Sequence, residues 1–61
     1  MFSTYTFGPL RVILDSDTGA IVSIQDALTG CAASLMYSRA AILHAATQAR
    51  LAWESTADVF A

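Results

Sequence analysis

Cys31 and His44 are the one thiol and the one imidazole of the chain, and a thiolate–imidazole pair is the usual means of activating a nucleophilic cysteine. They stand 13 positions apart. On a single helix that spacing means about 20 Å along the axis and about 140° around it. The two side chains then cannot meet within one chain. The reading that remains is a buried structural thiol, since free cysteine commonly behaves as a small buried hydrophobe, beside a partly covered histidine. One cysteine and one histidine also fall short of the convergent ligand set that a metal ion takes. A lone cysteine excludes a disulfide framework as well.

Asp15-Ser16-Asp17-Thr18-Gly19 has the opening of a calcium loop, and Asp26 stands at its twelfth position. The calcium loop needs an oxygen ligand at its fifth position and glycine at its sixth. Here those positions hold Gly19 and Ala20. Turn chemistry accounts for the same residues, because Asp side chains bond nearby amides and glycine accepts positive φ. Ser34, Ser38 and Ser55 have no acid–base partner pattern around them, and Gly8, Gly19 and Gly30 are isolated, so there is no phosphate-binding loop. The sequence therefore predicts no catalytic residues, no metal site and no cofactor. It predicts a protein that is not an enzyme.

Charge narrows the partners. The acids are Asp15, Asp17, Asp26, Glu54 and Asp58, the bases are Arg11, Arg39 and Arg50, and the net charge is −2. Phosphate-backbone binding needs clustered positive charge, and anionic lipid needs a polybasic stretch; three scattered arginines supply neither. Nucleic acid is not an expected partner. The start Met1-Phe2-Ser3-Thr4 has neither the basic region nor the apolar core of a signal peptide. The apolar stretch from Cys31 to Ala52 has the length of a membrane span, yet it carries Arg39, His44, Gln48 and Arg50, each costly in hydrocarbon. These features predict no membrane partner and a cytoplasmic protein, a compartment that suits a free thiol.

Sixty-one residues make one small domain, residues 1–61. A chain of this size buries only about 60% of the surface that its unfolded form exposes. Yet 56% of the residues are apolar and 13% are charged, with a mean hydropathy of +0.54. Disorder, which goes with low hydrophobicity, is excluded. The open question is where so much apolar surface goes.

Residues 4–25 read as a β-hairpin. Tyr5-Thr6-Phe7 leads through Gly8-Pro9, a bend or bulge, into Leu10-Arg11-Val12-Ile13-Leu14; a turn at Asp15–Gly19 then leads to Ala20–Ile24. Alternation puts Leu10, Val12 and Leu14 on one face with Val22 and Ile24 opposite them, and Arg11 and Ile13 on the other face. Residues 26–55 read as a long, alanine-rich helix with Asp26 as N-cap and a short C-terminal tail after it. Leu28, Leu35, Ile42, Ala46, Ala49 and Trp53 form one stripe. The back of this helix is apolar too, with Ala33, Tyr37, Ala40, Ala41, His44, Leu51 and Ala52. Phe2, Tyr5, Phe7, Trp53 and Phe60 are assigned to core packing by default, although Trp53 beside Arg50 has the composition of an interface hot spot.

The fold class predicted is α+β: a two-stranded antiparallel β-hairpin followed by one long Ala-rich α-helix, completed by dimerisation. A two-stranded sheet covers one side of a helix that is apolar on two sides, and a second copy is the simplest cover for the other. The expected interface is Ala33, Tyr37, Ala40, Ala41, His44, Arg50 and Trp53, where small residues let another helix approach. The expected function is that of a non-enzymatic protein-binding module, a homodimeric regulator or inhibitor (phage-encoded or accessory, for example) that occludes a site on a larger protein. The alternative is a structural subunit or fragment of a larger assembly.

Overall fold

Three runs rich in β-branched and aromatic residues form three strands: β1 (Phe2–Phe7), β2 (Leu10–Asp15) and β3 (Ile21–Asp26). A single 3-10 turn follows at Ala33–Leu35, and then one helix, α1 (Arg39–Phe60). The computed structural model describes the backbone of residues 1–60 and the side chains of residues 1–56. The side chain of Phe60 and the whole of Ala61 lie outside the described residues.

The sheet is antiparallel, in the order β1-β2-β3. The chain is α+β, but the two-stranded hairpin expected from sequence is not what forms. Gly8-Pro9 does not bend a strand; it ends one. Gly8 takes φ 58°, the positive value that the first position of a tight hairpin turn requires. Proline has no N–H to leave unsatisfied there. The chain reverses, Phe7 pairs with Leu10, and the register runs unbroken to Phe2 opposite Asp15.

Cross-strand rows define the two faces, since directly opposite residues share a face. Tyr5–Val12–Ile24 and Phe7–Leu10–Asp26 lie on the covered face, and Thr4–Ile13–Ser23 and Thr6–Arg11–Gln25 on the open one. Leu10, Val12 and Leu14 are buried, as the alternation predicts. Val22 is not. The β2–β3 register shifts between Ile13, opposite Ser23, and Leu14, opposite Ile21. Val22 is therefore the extra residue of a bulge, which resets the alternation and leaves the side chain exposed.

The helix begins thirteen positions later than expected, at Arg39 rather than Asp26. Residues 27–32 are turn and bridge. Gly30 N–H donates to the Asp26 carbonyl at 2.8 Å, and Asp26 N–H donates to the Cys31 carbonyl at 2.8 Å. Gly30 holds φ 76° there, a value no α-helix contains. The N-cap of α1 is Ser38. Its Oγ accepts the Ala41 N–H at 3.2 Å, and its carbonyl accepts the Ile42 N–H at 3.1 Å. The helix also continues in backbone to Phe60, over the stretch expected to be a tail.

The helix packs its Ala45 and Ala49 side, with Ile42 and Trp53 alongside, against Leu10, Val12 and Leu14. The buried apolar set among the described residues is small: three alanines, two leucines and one valine. Alanines at the contact let helix and sheet approach closely. A helix of 22 residues is about 33 Å long, whereas a six-residue strand spans about 20 Å. Part of α1 therefore runs past the sheet, consistent with overall dimensions of 37 × 21 × 16 Å.

Candidate interaction surface

Tyr37 and Trp53, both assigned to an interface from sequence, are tied down by specific hydrogen bonds. The Tyr37 hydroxyl donates to Asp26 Oδ1 at 2.6 Å. The other carboxylate oxygen of Asp26 accepts the Thr29 N–H at 3.0 Å and the Thr29 hydroxyl at 2.9 Å. Asp26 is only 4% exposed, and a buried carboxylate needs such donors. The Tyr37 hydroxyl, then the Thr29 amide and hydroxyl, hold its carboxyl below the ordinary 3.8 despite the opposing effect of burial. The same bond pushes the Tyr37 phenol above its ordinary 10.0. Asp26 thus caps a turn, as its chemistry suggests, but the turn opens no helix.

Trp53 reaches from α1 to the β2–β3 turn, where its Nε1–H donates to the Ser16 carbonyl at 2.9 Å. The turn is built as its residues predict. Asp17 N–H donates to Asp15 Oδ1 at 2.8 Å, Ala20 N–H to Thr18 Oγ1 at 3.3 Å, and Gly19 takes φ 76°. Asp15 Oδ1 and Thr18 Oγ1 are thus engaged in the hydrogen bonds of the turn itself.

The remaining expected interface residues divide. Ala33 is 1% exposed and belongs to the core, so it cannot carry an interface. It sits in the 3-10 turn, not on the back of a helix. Ala40, His44 and Arg50 are exposed, and Ala41 is half-buried. Cys31 is exposed in the loop before α1, which corrects both its expected burial and its expected place on the helix. His44 is exposed, where partial cover was expected. Leu28 and Leu35, expected on the buried stripe, are 94% and 78% exposed. They precede α1, so the helical spacing that linked them to Ile42 does not exist.

A concave feature lies elsewhere among the described residues. An open groove of about 380 Å³ runs between Ile21 of β3 and the flank of α1, lined by Ile21, Ala46, Thr47, Arg50, Leu51 and Glu54. Its wall is mostly hydrocarbon, and Ile21 and Leu51 are large apolar side chains left exposed there. Arg50 forms the rim. Its guanidinium is 3.7 Å from Glu54 Oε1 and 5.9 Å from the centre of the Trp53 ring. Trp53, assigned by default to core packing, packs on the core and also carries Arg50 over its ring beside the groove. Sequence reasoning missed Ile21, Ala46 and Thr47 as a lining set, because nothing local links a strand residue to a helix 25 positions on. Leu43, Thr47 and Leu51 do share a helical stripe by spacing, and that stripe was the available signal.

Among the described residues no group of three His, Cys, Asp or Glu side chains is placed to hold a metal ion, and no helix is long and apolar enough to cross a membrane. Compared with protein-family models, curated proteins and solved structures, the chain matches none.

Proposed function

We propose that this chain is a non-enzymatic protein-binding module, a small cytoplasmic regulator that acts by covering a site on a larger protein, and that it works as a homodimer. The observation that supports the binding role is the groove between Ile21 and Leu51, rimmed by Arg50 over Trp53. An apolar recess with an aromatic–arginine pair at its margin has the make-up of a protein-binding hot spot. An apolar side chain of the partner enters beside Ala46 and Leu51, and an acidic group near the rim competes with Glu54 for Arg50.

A second reading is favoured by Leu28, Leu35 and Met36. Each of these three large apolar side chains is exposed on the segment between β3 and α1, and in a structural subunit they become buried on assembly. One experiment separates the two readings. Tagged wild type, Leu51→Glu and Leu28→Glu are each used to capture partners from cells of the source, with circular dichroism on the same samples. The regulator reading expects a stoichiometric partner that Leu51→Glu loses and Leu28→Glu keeps. The reverse pattern establishes the subunit. Equal capture by all three overturns the groove as the binding site, and no stoichiometric partner overturns the module itself.

A further inference from the structure

The two edges of the sheet are unequally protected. β3 carries the bulge at Val22, and its end is met by an isolated bridge between Gln25 and Ala32. Bulges and covering loops are devices by which edge strands avoid pairing with other chains. β1 has neither. Its pairing with β2 is regular from Phe2 to Phe7, and the strand contains no charged residue and no proline. None of the turn and loop backbone hydrogen bonds among the described residues involves Phe2–Phe7. In an antiparallel ladder alternate residues direct N–H and C=O away from the neighbouring strand, so half of β1 presents unpaired donors and acceptors outward. A row of that kind is completed by another extended strand.

We propose that this strand is β1 of a second copy, so that two three-stranded sheets join into one six-stranded sheet with both helices on the same face. The inference rests on the homodimer and is independent of the groove. Three observations select a second copy. The strand is uncharged, so two identical edges meet without like-charge repulsion. Its residue pattern is self-complementary about a two-fold axis perpendicular to the sheet: with Tyr5 opposite Tyr5 of the second copy, Thr4 falls opposite Thr6 and Ser3 opposite Phe7. Aromatic–aromatic and Thr–Thr pairs are among the favourable cross-strand pairs. Third, the margin of the core at this edge is unfinished. Tyr5 and Phe7, with ring centres 6.5 Å apart, pack on the core and are only half-buried, and a neighbouring strand completes their cover.

The test uses sedimentation equilibrium from micromolar to submillimolar concentration on wild type, the double variant Thr4→Lys/Thr6→Lys, and Ala40→Glu. Thr4 and Thr6 are exposed on the open face, so the lysines enter no buried site and set like charges against one another across the two-fold axis. Because Thr6 also faces Arg11 of its own strand pair, circular dichroism on the same samples separates loss of the dimer from loss of the fold. Wild type is expected as a dimer, weakened about tenfold or more in the double variant and unaffected in Ala40→Glu. A dimer that survives the lysines and is dissociated by Ala40→Glu overturns the edge while leaving self-association through the helix. A one-chain mass throughout overturns both. If the double variant fails to fold, oxidative cross-linking in a Cys31→Ser background decides. An equimolar mixture of Thr4→Cys and Thr6→Cys chains is expected to form a cross-linked heterodimer, whereas Gln25→Cys on the opposite edge is not. Equal cross-linking at both edges overturns the proposal.

Discussion

Trp53 occupies the space that a side chain on Gly19 would need. A Cβ built on Gly19 falls 2.6 Å from Cζ3 and 2.8 Å from Cε3 of the indole, while the Trp53 Nε1–H donates to the Ser16 carbonyl. Strand turn and helix are therefore locked by one residue. The turn must hold glycine for two separate reasons, its φ of 76° and the ring packed on it.

Gly8 offers the control for that relationship. It also has positive φ, but an added Cβ there meets nothing within 4 Å. Gly8→Ala is expected to cost about 1 kcal/mol, the backbone strain alone. Gly19→Ala is expected to cost roughly 1 kcal/mol more, because the indole must also move. Chemical denaturation of both variants, with tryptophan fluorescence as the signal, measures the difference. Equal midpoints would show that Trp53 does not press on the turn.

The Asp26–Tyr37 bond gives the fold a pH dependence at both ends. The carboxyl of Asp26 is lowered in the folded chain, so its contribution is fully present above the unfolded value of 3.8 and is lost as pH falls through the folded value. The phenol of Tyr37 is raised, so its contribution is present below 10.0 and is lost as pH rises through the folded value. Tyr37→Phe is expected to move the Asp26 carboxyl back towards its ordinary value and to lower the melting temperature at neutral pH. Carboxyl chemical shifts followed through an acid titration read the first effect, and an unmoved Asp26 titration would exclude the bond.

Leucines of equal size should differ sharply in cost. Leu14 is fully buried and Leu28 is almost wholly exposed. Leu14→Ala is expected to cost about 2–5 kcal/mol, the range for a buried leucine truncated in a packed core. Leu28→Ala should change stability by no more than about 0.5 kcal/mol, as surface substitutions do. Comparable losses at the two positions would return residues 27–38 to the core.

The Ser38 cap is the fourth point of test. Ser38→Ala removes the oxygen that receives the Ala41 amide, with an expected cost of about 1 kcal/mol. Asp26→Asn should instead leave helix content unchanged while weakening the loop, since Asp26 starts no helix. Far-ultraviolet circular dichroism on the pair checks the assignment of the N-terminus.

Several features could be read from local chemistry. The face carrying Leu10, Val12 and Leu14 follows from alternation, the turn at Asp15–Gly19 follows from its Asp and Gly residues, and the helix from Arg39 onward follows from alanine content. In each case the controlling interactions lie within a few positions along the chain. Other features depended on contacts that no window contains. The periodicity that runs back from Ile42 through Leu35 to Leu28 is arithmetically helical. Gly30 at positive φ and the recruitment of the Asp26 carboxylate by Tyr37, eleven positions away, hold that stretch as a loop. Val22 left the core because one extra residue in β3 is decided by pairing with β2, not by β3 itself. The groove joins Ile21 to Leu51 only after the helix has been laid across the sheet by Ala45 and Ala49. Sequence alone determined which residues turn, alternate and favour helix, because those preferences are set by each residue's own backbone and near neighbours. Tertiary structure decided where the strands end, where the helix begins and which apolar side chains stay outside, because those outcomes rest on hydrogen bonds and packing between distant parts of the chain.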